Sequence, residues 1–152
     1  TNGNTAATGT ISTATCNSIL ALIFNATAWA DIAEDDTTSP LGNLYVSLHT
    51  GDPGVGNNQT TNETAYTNYV RVAVARTTGG WDAPAAAATA NAALIQFAQC
   101  GVTGATLTHV AIGTASGGAG TVLYAGALSS SLAVANGIQP QFAAGALDVT
   151  ES

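Results

Sequence analysis

His49 and Asp52 are the first residues whose types and spacing could do chemistry. They flank Thr50-Gly51 at the end of an alternating apolar run, and a tight turn there could bring an imidazole to a carboxylate as an acid–base or metal-binding pair. The same residues have a structural reading, in which Asp52 caps its own Pro53-Gly54 turn and His49 bonds backbone or water. We adopt the structural reading. His109 alternates with Val110 and Ile112, which makes it an exposed or interface histidine. Glu34, Asp35 and Asp36 could offer oxygens to a hard cation, but the spacing of a calcium loop is missing, so the group reads as a solvated acidic loop. The glycine-rich residues 113–120 lack a following Lys and a strand-to-helix context, so they read as a hairpin loop rather than a phosphate cradle. Cys16 and Cys100 form no metal-ligand pattern and are expected to be small buried hydrophobes. Trp81 beside Asp82 is the best candidate for stacking on a sugar, against the alternative of a packed rim Trp. No G-x-S-x-G and no H-E-x-x-H occurs, and no catalytic, metal or cofactor site is expected. Three Asn-x-Thr sequons are close to chance in so Thr-rich a chain.

The elements that must position these residues change character along the chain. Residues 1–10 contain only Thr, Asn, Gly and Ala and read as a flexible arm. Ser12 or Thr13 can cap a helix whose core face would be Ile19, Leu22, Ile23, Ala26 and Trp29. The acidic residues from Asp31 onward sit at the unfavourable end of the helix dipole, so the helix should stop near Ala30. From Leu44 the period becomes two: Leu44, Val46 and Leu48 share one face, and Tyr45, Ser47 and His49 the other. Residues 69–76 read as a strand with Val70, Val72 and Val74 inward, Arg71 outward and Arg76 at the strand end. Further strands are expected at residues 92–97, 107–112, 122–127, 132–135, 138–142 and 146–150, with residues 83–90 as an ordered connector. Short strands at this spacing predict a mainly β chain. It would be an antiparallel β-sandwich or barrel-like domain over residues 11–152, with one N-terminal amphipathic helix.

Composition narrows the function. The chain has 152 residues, 7% charged residues and a net charge of −7. With two Arg and no Lys it cannot build the basic surface that nucleic acid or anionic lipid requires, so neither is expected as a partner. No run approaches the ~20 apolar residues of a membrane span, and no signal-peptide pattern is present. Thr1 fits removal of an initiator Met before a small residue. Ala and Thr supply about a third of the residues, and such neutral surface packs against other proteins with little desolvation cost. That composition suits a protein covered by neighbours in a large assembly.

The order of motifs from Asn43 onward resembles a family of small structural proteins of tailed bacteriophages, whose members are described as head-decoration, head-fibre or tail-fibre proteins. The motifs are Leu44-Tyr45-Val46-Ser47-Leu48-His49-Thr50-Gly51-Asp52-Pro53-Gly54, Asn62-Glu63, Tyr69-Val70-Arg71, Leu107-Thr108-His109-Val110-Ala111-Ile112-Gly113, Leu123-Tyr124-Ala125-Gly126-Ala127-Leu128 and Phe142-Ala143-Ala144-Gly145-Ala146-Leu147-Asp148-Val149-Thr150. The resemblance implies a virion structural role without enzymatic activity and brings no catalytic residues. On it rests the expectation of a capsid decoration, or cement, protein. Such a protein is made in the bacterial cytoplasm, binds the outer capsid surface as an oligomer, and has the major capsid protein and copies of itself as partners. The alternative is a tail or fibre component that contacts tail proteins and binds a receptor or glycan. Expected interface residues are Thr1, Asn2, Gly3, Asn4 and Thr5 of the arm, with Trp81 and His109.

Overall fold

The computed structural model describes residues 12–29, 41–54 and 57–151. The arm, including Thr1, Asn2, Gly3, Asn4 and Thr5, and the acidic residues 34–36 lie outside the described residues.

Among the described residues one helix precedes eight strands, and these strands pair antiparallel, as the alternating sequence pattern predicts. Helix α1 (Thr13–Asn25) begins at Ser12, whose Oγ accepts from the Thr15 amide at 3.1 Å, satisfying one of the amides a helix start leaves unpaired. It ends earlier than expected. Ala26 adopts a left-handed conformation (φ 50°), and the Thr27 amide donates to Ala21 O, which closes the last turn. Trp29 is therefore not a helical residue. The buried face also differs from the expected one: Cys16, Leu20 and Phe24 are buried, whereas Ile19 and Leu22 are only half-buried. Leu20 and Phe24 flank Ile19, Leu22 and Ile23, so apolar residues run nearly all round the helix and periodicity alone cannot choose the face. Arg76 holds the helix end. Its guanidinium donates to Leu22 O and Ile23 O at 2.6 Å each and to Leu41 O at 2.8 Å, so a cation sits where the helix carbonyls converge.

The main sheet has the order β2 (Val72–Ala75), β1 (Asn43–His49), β5 (Ala105–Gly113), β6 (Val122–Val134). Two small ribbons complete the molecule: β3 (Ala88–Ala90) with β8 (Asp148–Thr150), and β4 (Ile95–Gln96) with β7 (Gln141–Phe142). Leu44, Val46 and Leu48 of β1 enter one core with Leu20 and Phe24 of α1, Leu107, Val110 and Ile112 of β5, and Trp81, Ile95, Phe97, Leu147 and Val149. Phe24 meets Trp81 edge-on at 4.7 Å and Tyr124 at 5.5 Å, tying helix, connector and β6 together.

Several expected strands change on folding. Strand β2 is shorter than residues 69–76, so the alternation starts only at Val72. Val70 is consequently 62% exposed, and Arg71 turns inward at 8% exposure, the reverse of the expected sides. The strands expected at 122–127 and 132–135 are one strand, β6, opposite β5. Leu107 pairs with Leu132 and His109 with Ala127, so Leu128–Ser131 bulge out where β5 contributes only Thr108. The same break lets Leu107 and Val110, three apart, both face the core, with half-buried His109 between them. The connector expected at 83–90 is ordered, but its last three residues are strand β3, which was not expected. Ala85 and Ala88 exchange both backbone hydrogen bonds around Ala86 and Ala87, whose φ of 52° and 61° give the two-residue turn that matches strand twist. Cys16 and Cys100 are both buried and unpaired.

Candidate functional site

The second face of β1 was expected to be the polar one, and it becomes a buried polar cluster. Ser47 and His49 both have 0% exposure because the segment 57–64 folds over them. That segment is fastened to the strand end: the Thr64 amide donates to Leu48 O at 2.9 Å and the Thr50 amide to Asn62 O at 2.8 Å. Ser47 Oγ lies 2.9 Å from His49 Nε2, and His49 Nδ1 lies 2.9 Å from Thr61 O. A carbonyl only accepts, so Nδ1 carries the proton and Nε2 accepts from Ser47. Gln59 Nε2 in turn donates to Ser47 Oγ at 3.4 Å and to Tyr45 O at 3.2 Å.

A serine hydrogen-bonded to a histidine is the first requirement of a nucleophile–base pair. The sequence carries this spacing, since residues i and i+2 of a strand share a face, but our reading paired His49 with Asp52 instead. Asp52 is elsewhere: its Oδ1 accepts from the Gly54 amide at 2.8 Å and caps its own turn. Ser47 and His49 are both fully buried, and neither lines the two cavities described below. Both ring nitrogens of His49 are engaged by Ser47 and Thr61, so the pair acts as a pin between strand and loop.

Beside it lies the stronger fastener. Arg71 forms a bidentate pair with Glu63, Nε to Oε1 and Nη2 to Oε2 at 2.7 Å each, with side-chain exposures of 2% and 16%. The same guanidinium donates to Ala115 O and Gly118 O at 2.8 Å each, which ties down the tip of the β5–β6 hairpin. Tyr69 donates to Glu63 Oε1 at 2.9 Å, and its oxygen accepts from the Leu48 amide at 3.0 Å; burial pushes its hydroxyl well above the usual tyrosine range. Gln59 Oε1 accepts from the Ala115 amide at 3.1 Å. A Cβ at Gly120 would stand 2.3 Å from that oxygen and 2.6 Å from the Ala115 Cβ, so the close approach of the two hairpin arms favours glycine there. Glu63, Tyr69 and Arg71 line the inner wall of an open cleft of about 400 Å³. Their polar atoms are already used by one another, so the cleft is a by-product of the fastening. Residues 114–121, between β5 and β6, are the hairpin loop expected from the glycines at 113–120.

Burial lowers the pKa of His49 below 6.5, outweighing the Thr61 carbonyl and the Glu63 carboxylate, which favour the cation; Arg71 and His109 oppose it. In the unfolded chain the imidazole returns to about 6.5, so at lower pH the unfolded state binds the extra proton. Stability from neutral His49 is therefore complete above pH 6.5 and is lost as pH falls from there through the folded value. Urea midpoints should drop between pH 7.5 and pH 5, and His49→Asn should flatten that dependence. Equal slopes for both proteins would show that His49 is not the titrating group.

The other expected interface residues part company. Trp81 has 0% exposure and packs edge-on against Phe24, so it is a core residue and presents no face to a sugar or a partner. Its neighbours explain the correction: the Trp81 amide donates to Thr77 O and the Asn25 side chain donates to Trp81 O, which folds the connector inward. His109 stays half-buried, opposite His49 on β1, with Nδ1 2.9 Å from Thr108 Oγ1.

The larger of the two cavities is a groove of about 680 Å³ with mixed apolar and polar lining, between β6 and the β7–β8 side of the molecule. Its floor is Leu107, Val110, Ile112 and Leu147; Leu128 and Leu132 stand on its rim. A sequence without side-chain contacts gives no sign of it. No helix among the described residues is long and apolar enough to cross a membrane.

A family model described as podophage GP4 fiber I protein gp80 matches residues 10–150. The chain belongs to that family. As a member of the fiber I family it is a structural protein of the tailed-phage particle, as the motif order from Asn43 onward implied. No curated protein matches the chain. The match spans α1, the pinned β1 face and the whole of the β6 groove, so every feature described here lies within the fiber I match.

Proposed function

We propose that this chain is a non-enzymatic structural subunit of the fibre apparatus of a podophage-type particle. Its partners would be copies of itself and neighbouring virion proteins. The match of residues 10–150 to a family described as a fiber I protein carries the reading. The chemistry agrees with it. The groups best suited to catalysis, Ser47, His49, Glu63 and Arg71, spend their hydrogen-bonding capacity on fastening loops to the sheet. Such fastening suits a subunit that must keep its shape under load.

One observation favours a second reading, decoration of the outer capsid surface. Outside the Arg71 and Arg76 sites the chain has no basic residue, and its neutral Ala- and Thr-rich surface suits a lattice of close neighbours in which each copy bridges capsid subunits. Gold-labelled antibody against the chain, applied to intact particles, separates the two. Label confined to the fibres supports the proposal, whereas label spread evenly over the head establishes the decoration reading in its place.

A further inference from the structure

Ser47, His49 and Gln59 all have 0% exposure and meet side by side. Ser47 Oγ lies 2.9 Å from His49 Nε2 and 3.4 Å from Gln59 Nε2. His49 Nδ1 donates to Thr61 O at 2.9 Å, which leaves Nε2 as the acceptor facing the serine hydroxyl. A nucleophile beside a base that a third group orients is the arrangement of covalent catalysis. The electrophile within its reach is the side-chain amide of Gln59.

That amide is held in one orientation. Its Oε1 accepts from the Ala115 amide at 3.1 Å and from Arg71 Nη1 at 3.4 Å, and its Nε2 donates to Tyr45 O at 3.2 Å. Two donors, one of them a full cation, converge on the oxygen that becomes negative when a nucleophile adds to the carbonyl. The carbon under attack is one bond, about 1.33 Å, from the nitrogen that Ser47 Oγ already touches. Gly113 lets the amide approach the β5 backbone, since a Cβ there would stand 2.3 Å from Gln59 Cδ. Burial keeps His49 neutral at neutral pH, the form that can take a proton.

We propose that Ser47 and Gln59 join in an intramolecular ester, which the chain forms on itself once folded. Ser47 Oγ adds to Gln59 Cδ while His49 Nε2 takes the hydroxyl proton. The oxyanion rests on the Ala115 N–H and the Arg71 guanidinium. The Cδ–Nε2 bond then breaks, and the imidazolium returns the proton to the departing nitrogen. One C–O bond replaces one C–N bond and ammonia leaves. Nothing is oxidised or reduced, and no co-reactant is needed. Escape of ammonia into water, where it becomes ammonium, draws the exchange forward. Burial of both residues keeps water from hydrolysing the product. The bond turns the hydrogen-bonded pin between β1 and segment 57–64 into a covalent one. The inference goes beyond the proposed function and holds wherever on the particle the chain sits.

Intact-mass spectrometry of the purified full chain reads the reaction directly. The chain should be lighter than its sequence by one ammonia, about 17 Da. Asp52 lies between the two residues, so after denaturation and proteolytic cleavage at Asp52 the fragments carrying Ser47 and Gln59 should stay joined until hydroxylamine releases them. Ser47→Ala should keep its full mass and an unchanged circular dichroism spectrum. In a cell-free synthesis time course, His49→Asn should acquire the lighter mass at least about a hundredfold more slowly than the parent, the effect of losing a general base. A folded parent at its full sequence mass overturns the proposal. So does a loss of ammonia that survives Ser47→Ala, and so do cut fragments that separate without hydroxylamine. The cleavage needs no variant, so it decides even where Ser47→Ala fails to fold. Mass loss in His49→Asn at the parent's rate overturns the assignment of His49 as the base.

Discussion

Arg71→Met should lower the stability of the fold by about 3–5 kcal/mol, the cost of leaving a buried charge without its partner. In a chain of this size that corresponds to a fall in Tm of roughly 10–15 °C. The size of the effect follows from what the guanidinium joins. It binds Glu63 in the segment over β1 and two carbonyls at the β5–β6 tip, so one truncation frees two loops and strands a carboxylate. Arg71→Lys should recover only part of the loss, because an ammonium cannot make the forked contact. Adding Glu63→Leu to Arg71→Met should restore stability relative to the single variant, since the stranded charge disappears. A loss under 1 kcal/mol for Arg71→Met, read from thermal or urea denaturation, would mean that water replaces the pair at little cost.

Phe24→Ala should cost about 3–5 kcal/mol, as for other large-to-small changes at full burial. Phe24 has 0% exposure and touches Trp81 and Tyr124, so the cavity would open where α1, the connector and β6 meet. Leu22→Ala, on the half-buried side of the same helix, should cost about 1 kcal/mol or less. Comparing the two variants by urea denaturation tests which helix face is the inner one. Equal losses would contradict the packing described for α1.

These two sites also show where the sequence was legible. The Ser12 cap, the alternation in β1, the β5–β6 hairpin and the structural role of Asp52 depend on neighbouring residues, and local rules reached them. The face of α1 was not legible, because Leu20 and Phe24 compete with Ile19 and Leu22 in a stretch, residues 19–24, that is apolar throughout. Arg71 was assigned to the wrong side because the strand alternation was extended three residues too far, into a segment whose geometry is set by Glu63 and by the hairpin tip. Trp81 was read as a sugar-stacking candidate or a packed rim Trp, and its burial against Phe24 makes it a core residue instead. In the polar cluster, Ser47 and His49 were visible as neighbours on one strand face. Gln59, Glu63 and Arg71 join them through tertiary contacts that no spacing reveals. The bulge in β6 follows from the β5 register and gave no local signal.

The central claim is that this chain is a structural part of the phage fibre apparatus. A cryo-electron microscopy reconstruction of the intact particle tests it most directly. The account predicts fibre density into which the four-stranded sheet with α1 across its core fits, in several copies per particle. Density for the same fold on the head lattice, with none in the fibres, would contradict it.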